Sequence, residues 1–388
     1  MNDLSRLLDA LGAAHGEGQD AVIATVVKVE GSAYRRPGAR MVIPQLGSAT
    51  GTVSGGCLES DVSKKAWWLT ATGKPVIRTY STGEDDDELE DAELSFGLGC
   101  NGTVHILFER IVVGTPSLPV SLLQQVRESQ RPAALATVIA SHSPHTTAIG
   151  ERVALAPVAG LLSDVQEPGL AEQIARDLQA VLDLGRSASR VYTSKGGEVE
   201  VLLEFIPAPR RLVIFGAGHD AAPLVGMARL QGWHTTVVDA RAHFARAERF
   251  PDADCVLAVA LGEPLPAVLD GAAVVVMTHS YSQDRHWLET ALRARPVYIG
   301  QLGPRSRTER LLAEMDEHLR HQPAFAGLHY PVGLDLGGDT PQSVALSILA
   351  EINAVANRRE GGMLKHRVAS IHGLEAAIHP DQALRVTG

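Results

Sequence analysis

A cysteine follows two glycines in the stretch Gly51-Thr-Val-Ser-Gly-Gly-Cys-Leu-Glu59. Just downstream, Leu58, Val62, Ala66 and Leu69 recur at helical spacing, which predicts a helix beginning near Cys57 that buries this stripe. Cys57 would then stand among the unpaired amides of a helix start. Those amides and the helix dipole favour a thiolate, the form required of a soft-metal ligand or a sulfur carrier. Gly55 and Gly56 leave the backbone uncovered, so a bulky ligand can approach. A second cysteine, Cys100, has a similar setting in Gly97-Leu-Gly-Cys-Asn-Gly102. Either cysteine alone reads equally well as a small buried residue beside a turn; two in matching glycine-rich settings favour function.

Arg35, Arg36 and Arg40 lie in the loop Gly31-Ser-Ala-Tyr-Arg-Arg-Pro-Gly-Ala-Arg40, one hairpin ahead of the cysteine turn. Loop arginines commonly do no more than keep a surface wet. Close to a thiolate, however, an arginine fork can hold a phosphate or another anion. A different chemistry is suggested by Gly216-Ala-Gly-His-Asp-Ala221, which matches the dinucleotide fingerprint with alanine in its last position. Asp239 ends the next strand, 21 residues after Gly218, where an acid can accept ribose hydroxyls. A nucleotide or dinucleotide with its phosphates on Gly216 and Gly218 is therefore expected, and the competing reading is a sheet kept as scaffold. His219 inside the turn, and His279 and Asp284 after the fourth strand, are placed to touch phosphate or move a proton, or to be edge residues. Arg305, Arg307 and Arg310 crowd a helix start, where an anion would relieve their conflict with the dipole. His142 and His145 flank Pro144 with no third ligand in sight and read as loop residues.

These residues require positioning elements. The 388-residue chain is too long for one ordinary core. Strands separated by glycine turns, with a first amphipathic helix and the helix after Cys57, indicate an α+β region over residues 1–118. Residues 119–207 read as two helices among strands, either a separate segment or continuous with the first region. After Pro207-Ala-Pro-Arg210, short apolar strands alternate with amphipathic helices, one of them expected from Pro264. This alternation predicts a doubly wound parallel sheet over residues 208–357, with a peripheral tail at 358–388. The fold class is thus α/β, an N-terminal α+β part followed by a Rossmann-like sheet.

Composition narrows the function. The formal charge is -10, yet eight carboxylates lie between Glu84 and Glu93, and the remainder is close to neutral. Overall charge therefore gives no nucleic-acid footprint, while the acidic run itself reads as a solvated loop or a dock for a basic partner. Three cysteines without a close pair exclude a disulfide framework and a paired-cysteine zinc site. No apolar run reaches the ~20 residues that cross a bilayer, and the first helix carries acids unlike a signal peptide. A cytoplasmic protein is expected.

With these pieces in order, the chain resembles the xanthine dehydrogenase accessory family, XdhC and its CoxI relatives. The resemblance rests on Gly31-Ser with Pro37-Gly-Ala-Arg40, the stretch from Gly51 to Glu59, Gly99-Cys-Asn-Gly-Thr-Val104, Phe215-Gly-Ala-Gly-His219, Val237-Val-Asp-Ala-Arg241, Tyr298-Ile-Gly300, and Gly333-Leu-Asp-Leu-Gly337 before Ser347-Ile-Leu-Ala-Glu-Ile352. Residues 120–207 carry no motif of the family. The resemblance implies a maturation factor more than a turnover enzyme. Such a factor binds the molybdenum cofactor (molybdopterin), presents it for sulfuration by a cysteine desulfurase, and hands it to an apo molybdenum hydroxylase; a homodimer is expected. Cys57 becomes the contact with molybdenum or transferred sulfur, with Cys100 second, Arg35, Arg36 and Arg40 on the pterin phosphate, and Gly55 and Gly56 allowing close approach. Soft dithiolene sulfurs hold molybdenum in this cofactor, and a thiolate suits that chemistry. The alternative is an NAD(P)-dependent oxidoreductase working through Gly216, Gly218, Asp239 and His279. A third reading is a protein-binding adaptor contacting its partner through the acidic run.

Overall fold

The computed structural model describes residues 4–81, 102–367 and 385–386. They divide into two compact units, residues 4–208 with 385–386, and residues 209–367. In the first unit, helix α1 (Leu4–Gly16) precedes β1 (Ala21–Gly31), β2 (Arg40–Pro44), β3 (Thr50–Gly51), α2 (Glu59–Leu69), β4 (Val76–Tyr80) and β5 (Gly102–Ile111). The series then begins again with α3 (Leu118–Ser129), β6 (Ala133–Ser141), β7 (Arg152–Ala156), β8 (Gly160–Ser163), α4 (Pro168–Leu184), β9 (Ala188–Ser194) and β10 (Gly197–Ile206). The first sheet has the order β3-β2-β1-β5-β4, and the second has the same order shifted by five, β8-β7-β6-β10-β9. The paired strands of both are antiparallel.

This is an internal duplication, and it extends to single residues. Ala21, Thr25, Gly38 and Arg40 stand 112 positions before Ala133, Thr137, Gly150 and Arg152. Gly102, Leu107, Glu109 and Ile111 stand 95 positions before Gly197, Leu202, Glu204 and Ile206. Even the β-bulge recurs, skipping Val27 in one copy and Ile139 in the other. Arg78 over Tyr80 is repeated as Arg190 over Tyr192, each at 6.0 Å.

Each copy covers the outer face of its own sheet with its own long helix. Leu58, Val62 and Ala66 lie on the first sheet as the helical spacing predicts, and Leu170, Ile174 and Leu178 do the same on the second. The inner faces meet through Val27, Leu107, Ile139 and Leu202, while leucines of α1 and α3 pack in a second cluster with Ile23, Leu135 and Ile206 of both sheets. Between the sheets run two buried ion pairs. Arg40 of the first copy donates to both carboxylate oxygens of Glu204 in the second, at 2.7 and 2.6 Å. Arg152 of the second copy donates to Glu109 of the first at 2.5 Å. Each arginine also donates to the glycine carbonyl two residues before it, Gly38 and Gly150. Such reciprocity is the signature of an isologous contact, here made within one chain.

The second unit contains β11 (Arg211–Phe215), α5 (Ala221–Leu230), β12 (His234–Asp239), β13 (Cys255–Ala258), β14 (Ala273–Val276), α6 (Tyr281–Arg293), β15 (Tyr298–Gln301), α7 (Arg305–Glu314), β16 (Leu328–His329) and α8 (Pro341–Ala356). Its strands are parallel in the order β13-β12-β11-β14-β15-β16. Helices α5 and α8 cover one face, and α6 and α7 the other. The helix expected from Pro264 does not form; residues 261–271 are turns and irregular backbone. Pro266 follows Pro264 by two positions and disfavours the helical conformation at Leu265 immediately before it. The tail contributes more than a periphery, because Arg385–Val386 (β17) pairs antiparallel with β9 at the edge of the second sheet.

Candidate functional site

The cysteine turn is built by β3 and the start of α2. Gly51 has φ +93°, and a Cβ there would collide with the Arg40 carbonyl and lie 2.8 Å from Leu7, so only glycine lets β3 approach so closely. Val53 and Leu58 are buried on either side of the turn and pin its ends. Between them Gly55 and Gly56 hold φ at +100° and +129°, and Cys57 is exposed.

The amides of this turn are not open. The Glu59 carboxylate accepts from the backbone N–H of Val53, Ser54, Gly55 and Gly56 at 2.8–3.1 Å. It also accepts from Thr52 Oγ1 and, at 2.6 Å, from Ser54 Oγ. Burial alone would raise this acid; the hydroxyl and amide donors outweigh it and pull its pKa down to about 2. The expectation of unpaired amides around Cys57 is thus corrected: an internal anion fills the nest. Glu59, to which the sequence assigns no role, organises the loop that displays the thiol.

Beside the turn lies a cavity of about 250 Å³, lined by Leu4, Leu7, Leu123 and the loop from Tyr34 to Arg40. The Tyr34 ring rests on Gly55, where a Cβ would come within 2.5 Å of it. Arg35 and Arg36 are half-buried in the cavity wall. Arg36 makes no ion pair among the described residues. Arg40 differs from both. Its guanidinium is buried and held by Glu204 and the Gly38 carbonyl, an arrangement that leaves it little to offer a phosphate.

The duplication supplies an internal control on these assignments. Counterparts 112 positions on show which features belong to the frame: Arg40 has Arg152, Val53 has Val165, and Leu58 has Leu170. Other features are peculiar to the first copy. Gly55-Gly-Cys57 becomes Glu167-Pro-Gly169, Glu59 becomes Ala171, and Tyr34-Arg-Arg36 becomes Thr146-Thr-Ala148. Only the first copy displays a thiol beside arginines. The signal is present in sequence, since Ala-x-(Ile/Leu)-Ala-Thr-Val followed at fixed distance by Gly-x-Arg occurs twice.

Cys100 and the run from Glu84 to Glu93 lie outside the described residues. Among the described residues no group of three or more His, Cys, Asp or Glu side chains could hold a metal ion. His142 and His145 are both exposed.

In the second unit, Gly216 has φ +120° and a Cβ there would meet the Met277 carbonyl at 2.5 Å. The Ala217 N–H donates to Asp239, which is fully buried. The other donors to Asp239 come from Arg241: its backbone N–H, Nε and guanidinium Nη2, at 2.8–2.9 Å. Burial would raise Asp239, but Arg241 and the amides hold it below the usual carboxylate range. Both oxygens are therefore engaged before any ribose arrives. Asp220 Oδ1 lies 2.5 Å from where a Cβ on Gly218 would be, and its other oxygen is 2.7 Å from His279 Nε2. His279 takes φ +60°, unusual for a residue with a side chain, and His219 is exposed. The crowding of arginines at α7 is relieved internally, Arg307 by the buried Asp284 and Arg310 by Glu314.

Fold and site together define a two-unit protein: a duplicated antiparallel sandwich that displays a glycine-flanked thiol, followed by a Rossmann sheet. The sequence model described as the XdhC Rossmann domain matches residues 212–352, and that of the XdhC and CoxI family matches residues 14–81. The chain is 30% identical over 356 residues to a probable xanthine dehydrogenase subunit of Bacillus subtilis (strain 168), covering 91% of this chain and 97% of the relative. It is 24% identical over 344 residues to the molybdenum cofactor insertion chaperone PaoD of Escherichia coli (strain K12), covering 88% and 86%. A crystal structure described as a xanthine dehydrogenase from Bacillus halodurans superposes with a TM-score of 0.68 at 26% identity, covering 91% of this chain and 96% of that one. This chain belongs to the XdhC and CoxI family.

Proposed function

We propose that this protein carries the molybdenum cofactor, supports its sulfuration and delivers it to a molybdenum hydroxylase of the xanthine dehydrogenase type. The observation that carries the reading is the exposed Cys57 on a turn preorganised by Glu59, in the copy of the repeat that also bears Arg35 and Arg36. Kinship with an insertion chaperone supports it. An exposed thiol offers one soft ligand, and the cargo's own dithiolene sulfurs supply the others. A single protein ligand suits a carrier, which must release what it holds. Cys57 contacts molybdenum or the transferred sulfur, with Cys100 as a second thiol. Gly55 and Gly56 leave the metal side uncovered. Arg35 and Arg36 face the phosphate, and Arg40 belongs to the frame.

The partners are the apo-hydroxylase and a cysteine desulfurase, with a homodimer as the working assembly in the cytoplasm; no described helix is long and apolar enough to cross a membrane. At the Rossmann turn of Gly216, Gly218 and His219, Asp239 already accepts from Arg241 and the Ala217 amide, so a ribose has to share or displace those partners. That weighs against the dehydrogenase reading. A reconstitution assay tests the proposal: wild-type protein loaded with cofactor activates apo-hydroxylase, and Cys57→Ala, which removes an exposed side chain without touching the core, loses at least about tenfold of that delivery. Equal activation by Cys57→Ala would sink the assignment.

A further inference from the structure

The cavity beside the cysteine turn has features that phosphate binding alone does not require. Its floor is apolar, made by Leu4 and Leu7 of α1 and Leu123 of α3, while Tyr34, Arg35 and Arg36 form its mouth. A phosphate needs donors and has no use for a leucine floor. A flat heteroaromatic ring uses both, since leucines cover a face and guanidinium planes stack on or hydrogen-bond to its edge. We infer that this cavity seats the pterin ring of the cargo, while the metal end projects towards Cys57. The inference rests on the carrier reading above and adds to it the place and the contacts of the organic moiety.

Three observations bear on it. First, the cavity adjoins the thiol turn on two sides: Tyr34 lies on Gly55, and Leu7 lies against Gly51. A ligand seated there lies next to the turn that carries the cysteine. Second, a volume of about 250 Å³ falls below the ~300 Å³ of the smallest pockets that enclose a drug-sized ligand. The cavity thus has room for a bicyclic ring and not for a whole dinucleotide. Third, the mouth belongs to the first copy alone. The matching loop of the second copy carries Thr146, Thr147, Ala148 and Ile149 in place of Tyr34, Arg35, Arg36 and Pro37, although the surrounding frame is repeated. Within one chain, the charged aromatic mouth and the thiol occur together or not at all.

The test uses 6-hydroxymethylpterin, which has the ring and neither metal, dithiolene nor charged side chain, titrated by its own fluorescence against the full-length protein. Wild type is expected to bind it. Arg36→Ala, on the half-exposed rim, weakens binding about tenfold through loss of a guanidinium contact to the ring. Leu123→Trp, which fills the cavity from its floor, abolishes binding, whereas Thr146→Ala, at the matching exposed position of the second copy, leaves it within about twofold. Molybdenum retention by the same proteins separates the two readings. If wild type retains molybdenum cofactor while the pterin probe is ignored, or binds equally to the Arg36→Ala and Leu123→Trp variants, the ring sits elsewhere and the cavity assignment is overturned with the carrier reading intact. If wild type retains no cofactor at all, the carrier reading falls and takes this inference with it.

Discussion

Glu204→Ala is expected to destabilise the N-terminal unit by about 3–5 kcal/mol, because it strands the buried Arg40 guanidinium without its counter-charge. Arg40 is 6% exposed and Glu204 2%, so water does not reach in to compensate. Burial lowers the pKa of Arg40, and the attraction of Glu204 more than offsets it; without that partner the guanidinium remains charged and uncompensated. The duplication doubles the prediction: Glu109→Ala strands Arg152 in the same way. By contrast, Arg40→Met with Glu204→Leu replaces the pair by apolar side chains of similar volume, and such swaps are often neutral. Urea denaturation, with hydrogen exchange on peptides from β1 and β6 to localise the effect, reads the ordering. Single variants as stable as wild type would show that the inter-sheet pairs do not hold the sandwich.

The second large effect concerns acid. The pKa of Glu59 is lowered from 4.5 to about 2 in the folded protein, so its contribution is present in full above the unfolded value and lost as pH falls from about 4.5 towards 2. Because the carboxylate is partly open to solvent, we discount the full shift to about 1–2 kcal/mol, felt locally in the turn. Glu59→Ala should reproduce at neutral pH what acid does to wild type. The amides of residues 53–56 lose their acceptor, and their exchange, corrected for the intrinsic pH dependence, rises at least about tenfold. A Glu59→Ala protein whose amides stay protected would mean that the glycine backbone holds the loop without its internal anion. The same carboxylate occupies the amides at the start of α2, which is why the carrier proposal assigns the phosphate to Arg35 and Arg36 instead.

Much of this architecture is legible in the chain itself. The stripe Leu58, Val62, Ala66 announces α2 because burial on one face imposes a 3.6-residue period. The apolar strands after Pro207 announce a parallel sheet because both its faces are covered. Single-residue roles are harder. Arg40 and Arg36 look alike in a loop sequence, and what separates them is a carboxylate more than 160 positions away. Glu59 closes the cysteine motif, yet only the folded turn brings four amides to it. The duplication hides for a different reason: the copies agree in ordinary frame residues and differ in the cysteines and glycines that stand out. Once seen, it separates frame residues such as Arg40, Val53 and Leu58, which recur in the second copy, from Cys57, Arg35 and Arg36, which do not and which the carrier proposal assigns to the ligand.

The most direct measurement counts molybdenum per chain, after desalting, for wild type and Cys57→Ala equilibrated with molybdenum cofactor. The account predicts stoichiometric retention by wild type and almost none by the variant, with both proteins equally stable. Equal retention would contradict it, by showing that the thiol on the Glu59-ordered turn is not what holds the metal.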